Sequence, residues 1–198
     1  ADGQEFTIGG IAKGAGMLAP GLATMLVVLT TDADVEAEML DVVLRDATRV
    51  TFDRADSDGC MSTNDTVVLL ASGASGAVPS AEAFGAGLTQ VCAELARKLI
   101  GDAEGASHDI AIRTFNAASE RDAETVSRSV ARSNLFKAAI FGKDPNWGRV
   151  LSAVGTTDAV FEPDQLNVAI NGIQICRNGS IGYDRNLVDL EPREVLVE

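Results

Sequence analysis

Apolar residues gather along this chain in two patterns. Met25 to Leu29 (MLVVL) and Thr66 to Ala71 (TVVLLA) are short continuous apolar runs. Such runs predict strands buried on both faces. The stretch FTIGGIAKGAGM predicts a strand end feeding a glycine loop. Between the two runs, Val35, Met39, Val42, Val43 and Val50 recur at roughly helical spacing. Thr31 and Asp34 fit a capping pattern that would start this helix at TTDAD. DRADSDGCMSTND then predicts a polar loop.

Further along, SGASGAVPS (Ser72 to Ser80) is rich in Gly, Pro and small residues. It is the expected domain boundary. Residues 1–73 would form part of one α/β layer structure and residues 74–198 a smaller C-terminal α/β domain. Ser80 caps a helix with the stripe Phe84, Leu88, Val91, Leu95 and Leu99. HDIAIRTF alternates as a half-covered strand would. ERDAETVSRSVARSNLFKAAI reads as one helix with Ala123, Val126 and Val130 inward, and GKDPNWGR as a loop. QLNVAINGIQICRNG predicts a hairpin, since Asn171-Gly172 suits the positive φ values of a type I′ turn. The last residues, VDLEPREVLVE, look like a strand start with no later partner. With the abrupt beginning, this suggests a piece of a longer or processed polypeptide, its C-terminal domain truncated. The mixed order of elements places the fold in the α/β (α+β) class.

The 198 residues are 46% hydrophobic, enough for one domain or two small ones. A net charge of -13 repels phosphate backbones and argues against nucleic-acid binding. No apolar run approaches the roughly 20 residues needed to span a bilayer. The opening ADGQEFTIGG lacks the basic and apolar regions of a secretory signal. Cys60, Cys92 and Cys176 form no CxxC pair and accompany a single histidine, His108. This predicts free thiols in a reducing cytoplasm and no metal site.

Thr24 stands between a Pro20-Gly21 turn and an apolar run. As a strand residue it would bond its hydroxyl to backbone. As a nucleophile it needs a base, and a threonine made N-terminal has its own α-amine, with a pKa around 7.7–8.0. That requires breaking the Ala23–Thr24 bond by an N-to-O acyl shift and hydrolysis. The small residues before the bond leave room for a tetrahedral intermediate, and β-branching restricts the hydroxyl. GGIAKGAG is not a P-loop. Lys13 is either a surface lysine on a glycine turn or a compact cation for a substrate carboxylate. Asp56, Asp58 and Gly59 fall on EF-hand positions, but Arg54 occupies the first, so a hydrogen-bonded turn is favoured. Ser62, Thr63, Asn64 and Asp65 have the chemistry to line a site floor. Glu104 is either a solvated loop carboxylate or an acceptor for a substrate amine.

Together, KGAGMLAPGLATMLVVLTTDA, STNDTVVLLASG, DAEGAS and FGKDPNWGRVLSAVG resemble the ornithine acetyltransferase family. These are the bifunctional glutamate N-acetyltransferases of cyclic arginine biosynthesis, and the resemblance covers nearly the whole chain. It implies a precursor that cleaves itself at Ala23–Thr24, leaving α and β chains joined in an α2β2 heterotetramer. The fold would be a layered sandwich completed by the upstream alpha-chain. Thr24 would take acetyl from N2-acetylornithine and pass it to glutamate, releasing ornithine. Lys13 and Glu104 match substrate-binding positions. Acetyl-CoA is a donor in some members; no metal or redox cofactor is implied. The family's oxyanion-hole pair would lie upstream of Ala1, and an Asn and a terminal Ser/Thr beyond Glu198. The residues present would thus form part of a site, and the loop DSDGCMSTND departs from the usual family form. Two other classes fit the same features. One is a self-cleaving aminopeptidase or amidase that gives its acyl group to water, the other an inactive assembly module.

Overall fold

The computed structural model describes residues 5–14, 25–61 and 63–198. The chain divides into two units, Ala1–Glu104 and Gly105–Glu198.

In the first unit, β1 (Ile8–Lys13), β2 (Leu26–Thr31) and β3 (Thr66–Ala71) form a three-stranded sheet with β2 central. β1 runs antiparallel to β2, and β3 runs parallel to it. Helices α1 (Ala37–Val50) and α2 (Ala81–Gly101) join one sheet face in a single core. Val27 and Leu29 from β2, Val43 and Ala47 from α1, and Phe84, Leu88 and Cys92 from α2 are all buried there. Gly10 permits this closeness, since a Cβ there would lie 2.6 Å from the Leu29 side chain and 3.2 Å from that of Leu95 on α2.

Among the described residues, no helix of this unit covers the other sheet face, the open face. β2 is not buried on both faces as its apolar run predicts; it alternates exposed and buried along its length. Leu26 and Val28 are exposed beside Ile11 of β1 (73% accessible) and Val68 and Leu70 of β3. The register places Ile11, Val28 and Val68 in one row across the sheet. A central strand covered by helices on one side only keeps period-two burial, whatever the hydrophobicity of its outward residues.

Two more expectations change in this unit. α1 starts at Ala37 with Glu36 as a cap that makes no side-chain hydrogen bond. Thr31 instead ends β2, its hydroxyl donating to the Thr7 carbonyl and accepting from the Ala33 N–H. Strand pairing of Thr31 with Ile8 and Ala71 keeps it out of the helix. The expected division at 73/74 moves to 104/105, because the α2 stripe belongs to the same core as β2. Ser80 does cap α2, accepting the Ala83 N–H at 3.3 Å.

The second unit is built on a five-stranded sheet. In chain order its strands are β4 (Asp109–Ile112), β5 (Val168–Ile170), β6 (Ile173–Arg177), β7 (Ser180–Ile181) and β8 (Glu194–Val197). The spatial order is β4-β8-β5-β6-β7. The C-terminal strand therefore has partners on both sides, parallel β4 and antiparallel β5. Local pattern could not reveal them, since β4 lies more than 80 residues earlier in the chain. The hairpin turn is at Asn171 and Gly172, with φ of 48° and 80°. The Asn171 side chain also accepts the Leu196 N–H at 2.8 Å, tying the turn to β8.

The long helix expected before this sheet is two helices, α3 (Glu120–Arg132) and α4 (Asn134–Phe141). Ser133 breaks it with an extended backbone and caps α4 by accepting from Phe136 N–H at 3.2 Å. GKDPNWGR is only in part a loop, since α5 (Trp147–Val154) begins inside it under an Asn146 cap. Phe136, Ile140, Val150 and Val154 from these helices pack with Ile170, Ile175, Val195 and Val197 of the sheet.

Candidate active site

The site is built from the strand ends of the first unit. Met25 sits just before β2 and is held at both of its backbone polar groups. Its N–H donates to Asp65 Oδ1 at 2.8 Å, and its carbonyl accepts the Thr66 N–H at 2.9 Å. Two consecutive residues at the start of β3 thus clamp one residue at the start of β2. Parallel pairing makes this possible by placing Leu26 opposite Thr66 at the same end of the sheet.

Ala23 and Thr24, the expected cleavage site and nucleophile, lie outside the described residues, as does Ser62. Lys13 ends β1 and is paired with Leu26, two residues beyond Thr24. Its side chain is exposed and lies on the open sheet face with Leu26.

Glu104 is exposed in the turn that follows α2. That helix runs along β1 in the same direction: Gly87 faces the Ile8 side chain and Gly10 faces Leu95. From that contact to Lys13 the strand advances about 10 Å, and from Leu95 to Gly101 the helix advances about 9 Å. Lys13, Met25, Asp65 and the C-terminal end of α2 therefore share one end of this layer. Among the described residues, no hydrogen bond or ion pair joins Lys13 to Glu104.

A cavity of about 340 Å³ opens at this end between α1 and the starts of β2 and β3. Met25, Asp41, Arg45, Asp53, Asp65 and Thr66 are among its lining. Burial pushes the Asp65 carboxyl above its ordinary value, and the Met25 N–H works against that rise. Asp41 is held below its ordinary value by its hydrogen bond to Arg45 at 3.0 Å.

The loop before β3 is a hydrogen-bonded turn. Asp56 accepts the Gly59 N–H at 3.1 Å and Asp58 the Cys60 N–H at 2.8 Å. Among the described residues, no group of three His, Cys, Asp or Glu side chains could hold a metal ion. Nor is any described helix long and apolar enough to cross a membrane. Asp65 was legible from sequence only as a polar residue suited to a site floor. Its hold on Met25 depends on a pairing that spans 40 residues.

The ArgJ family model matches residues 1–198. The chain is 66% identical over 190 residues to the arginine biosynthesis bifunctional protein ArgJ of Streptomyces coelicolor, covering 96% of this chain and 50% of that protein. It is 64% identical over 195 residues to the ArgJ of Thermobifida fusca, covering 98% and 51%. The chain thus spans about half the length of the curated relatives it matches. The crystal structure of the Bacillus halodurans ArgJ superposes with a TM-score of 0.76 at 30% identity, over 85% of this chain and 84% of that one. The chain belongs to the ArgJ family.

Proposed function

We propose that this chain carries the nucleophile of an acetyltransferase that moves acetyl from N2-acetylornithine to glutamate in arginine biosynthesis. The observation that carries the reading is the family match along the full chain, motifs around Thr24 included. The geometry supports it, with Lys13 paired beside the strand that begins just after Thr24.

Self-cleavage at Ala23–Thr24 gives Thr24 a free α-amine. The Thr24 hydroxyl attacks the acetyl carbonyl carbon of the donor, and its proton passes to that amine. The carbon–nitrogen bond of the donor breaks, and ornithine leaves with the proton. The acetyl ester on Thr24 is then attacked by the neutral amine of glutamate. N-acetylglutamate departs, and the hydroxyl regains a proton. Lys13 binds a substrate α-carboxylate as a point charge, and Glu104 accepts from a substrate ammonium. Acetyl-CoA, a donor in some members of the family, is a candidate second acetyl donor, and these steps invoke no metal or redox cofactor.

The reaction needs the rest of the precursor. The open sheet face, with Leu26, Val28, Val68 and Leu70 downstream of the cut and Ile11 of β1 on the upstream fragment, is the surface on which the rest of the upstream alpha-chain packs to complete the sandwich. Two such pairs associate as α2β2 in the cytoplasm. The test is to supply the full-length protein with N2-acetylornithine, with and without glutamate. Acetylglutamate formed in step with ornithine supports a transferase. Acetate formed at the same rate whether or not glutamate is present would make it a hydrolase. No turnover by the full-length protein would leave an assembly module.

A further inference from the structure

The hydrogen bond between Asp65 and Met25 has a use beyond holding two strands. A parallel pair needs no side chain to begin its ladder, and the Thr66 N–H already supplies the backbone bond to the Met25 carbonyl. The Met25 N–H is an extra donor at the strand start, and it is the amide that joins Met25 to Thr24. An unpaired donor at a partly buried strand start would cost about 1–3 kcal/mol. Water would satisfy it as well as a carboxylate if pairing were the only need. A carboxylate there carries a cost of its own, because burial disfavours its charge.

We propose that Asp65 is a positioning residue for the Thr24 nucleophile, acting through the Met25 amide. The peptide linking the two residues is planar, so one plane holds the Met25 N–H, the Thr24 carbonyl and the Thr24 Cα. Asp65 Oδ1 fixes the direction of that N–H from one side. Thr66 fixes the Met25 carbonyl on the other. Asp65 thus holds the peptide that joins Thr24 to Met25, and Thr66 holds the peptide that follows it, so the backbone on both sides of the Met25 Cα is tied to the start of β3. The hydroxyl, restricted at χ1 by β-branching, is then aimed by the backbone. This matters most for a residue destined to begin a chain, since an N-terminal residue has no preceding peptide to anchor it. After cleavage, the Asp65 hold on the amide that follows is the nearest restraint left.

The inference rests on Thr24 being the nucleophile, and the test separates the two claims. Asp65→Ala and Asp65→Asn are made in the full-length precursor. Extent of cleavage, acetylation of Thr24, and kcat and KM for N2-acetylornithine per cleaved molecule are measured beside wild type. Loss of aim should lower kcat of Asp65→Ala by about tenfold to a hundredfold, since small misplacements of reacting groups cost on that order. KM should stay within about twofold, because Asp65 acts on the nucleophile and not on the bound substrate. Asp65→Asn keeps an oxygen acceptor and should stay within about threefold of wild-type kcat.

Asp65→Ala with wild-type kcat would overturn the inference. Equal losses in the two variants would also overturn it, since an acceptor would then not be the feature that matters. If Asp65→Ala does not fold, Asp65→Asn decides, and a larger loss in that variant, once folded, refutes the acceptor role. Failure of wild type to acetylate on Thr24 would instead remove the nucleophile assignment on which this stands.

Discussion

Asp65 Oδ1 accepts the backbone N–H of Met25 at 2.8 Å, across 40 residues of chain. The bond joins the first residue after Thr24 to the residue that precedes β3. Its acceptor is a carboxyl whose pKa burial raises above the ordinary 3.8.

That shift has a pH signature. A carboxyl with a raised folded pKa binds its proton more tightly in the folded state. Its contribution therefore favours folding at low pH and is lost as pH rises from about 3.8 through the folded value. Asp65→Asn does not titrate. Its thermal midpoint relative to wild type should move upward between pH 4 and pH 7. Unfolding curves at several pH values check this, and a difference moving the opposite way would show that the carboxylate is stabilised in place.

Lys13 should act on carboxylates. Lys13→Ala in the full-length enzyme should lower kcat/KM for N2-acetylornithine by about 10- to 100-fold, the range for a lost hydrogen bond between charged groups. A donor analogue without the α-carboxylate should lose far less. Similar losses on the two donors would reduce Lys13 to a structural residue at the end of β1.

The open sheet face should matter for assembly and little for the fold of its own unit. Val28 lies at its centre, between Ile11 and Val68. Val28→Lys should leave the core of Val27, Leu29 and Leu88 intact, because its side chain points to the opposite face. It should cost under about 0.5 kcal/mol within the unit. β1 stays on the upstream fragment and remains paired with β2, so the readout is the thermal midpoint of the cleaved full-length protein. That midpoint should fall clearly below wild type; an unchanged midpoint would place the rest of the upstream chain elsewhere.

The three cysteines should separate cleanly. Cys60 is exposed, whereas Cys92 and Cys176 are buried. Burial pushes the Cys92 thiol up to about 11, so it is almost wholly protonated and unreactive at neutral pH. One thiol per chain should react with an aromatic disulfide reagent in the native protein and three after denaturation. Rapid native labelling of Cys92 would contradict the packing of α2 on the sheet.

Much of the fold was legible because it is local. Ser80 caps α2, and Asn171-Gly172 takes the two positive φ values its hairpin needs. What escaped depends on distant partners. MLVVL has the composition of a doubly covered strand, yet Val28 faces outward because helices cover one side only. The strand at Glu194–Val197 has no partner after it, and its two partners, β4 and β5, both come from earlier in the chain. Ser133 could continue a helix or cap a new one, and the burial of both Val130 and Phe136 is met by turning the chain there. The site divides the same way. Thr24, Lys13 and Glu104 stood out by motif, whereas the bond from Asp65 to Met25 appears only when β2 and β3 pair.

The central claim is that Thr24 becomes an N-terminal nucleophile that carries the acetyl group. Intact mass spectrometry of the full-length protein after mixing with N2-acetylornithine tests it directly. Two fragments are expected, the second beginning at Thr24, with a single acetyl group on Thr24 that disappears when glutamate is added. A single uncleaved chain that still transfers acetyl at full rate, or an acetyl group on another residue that glutamate removes, would contradict it.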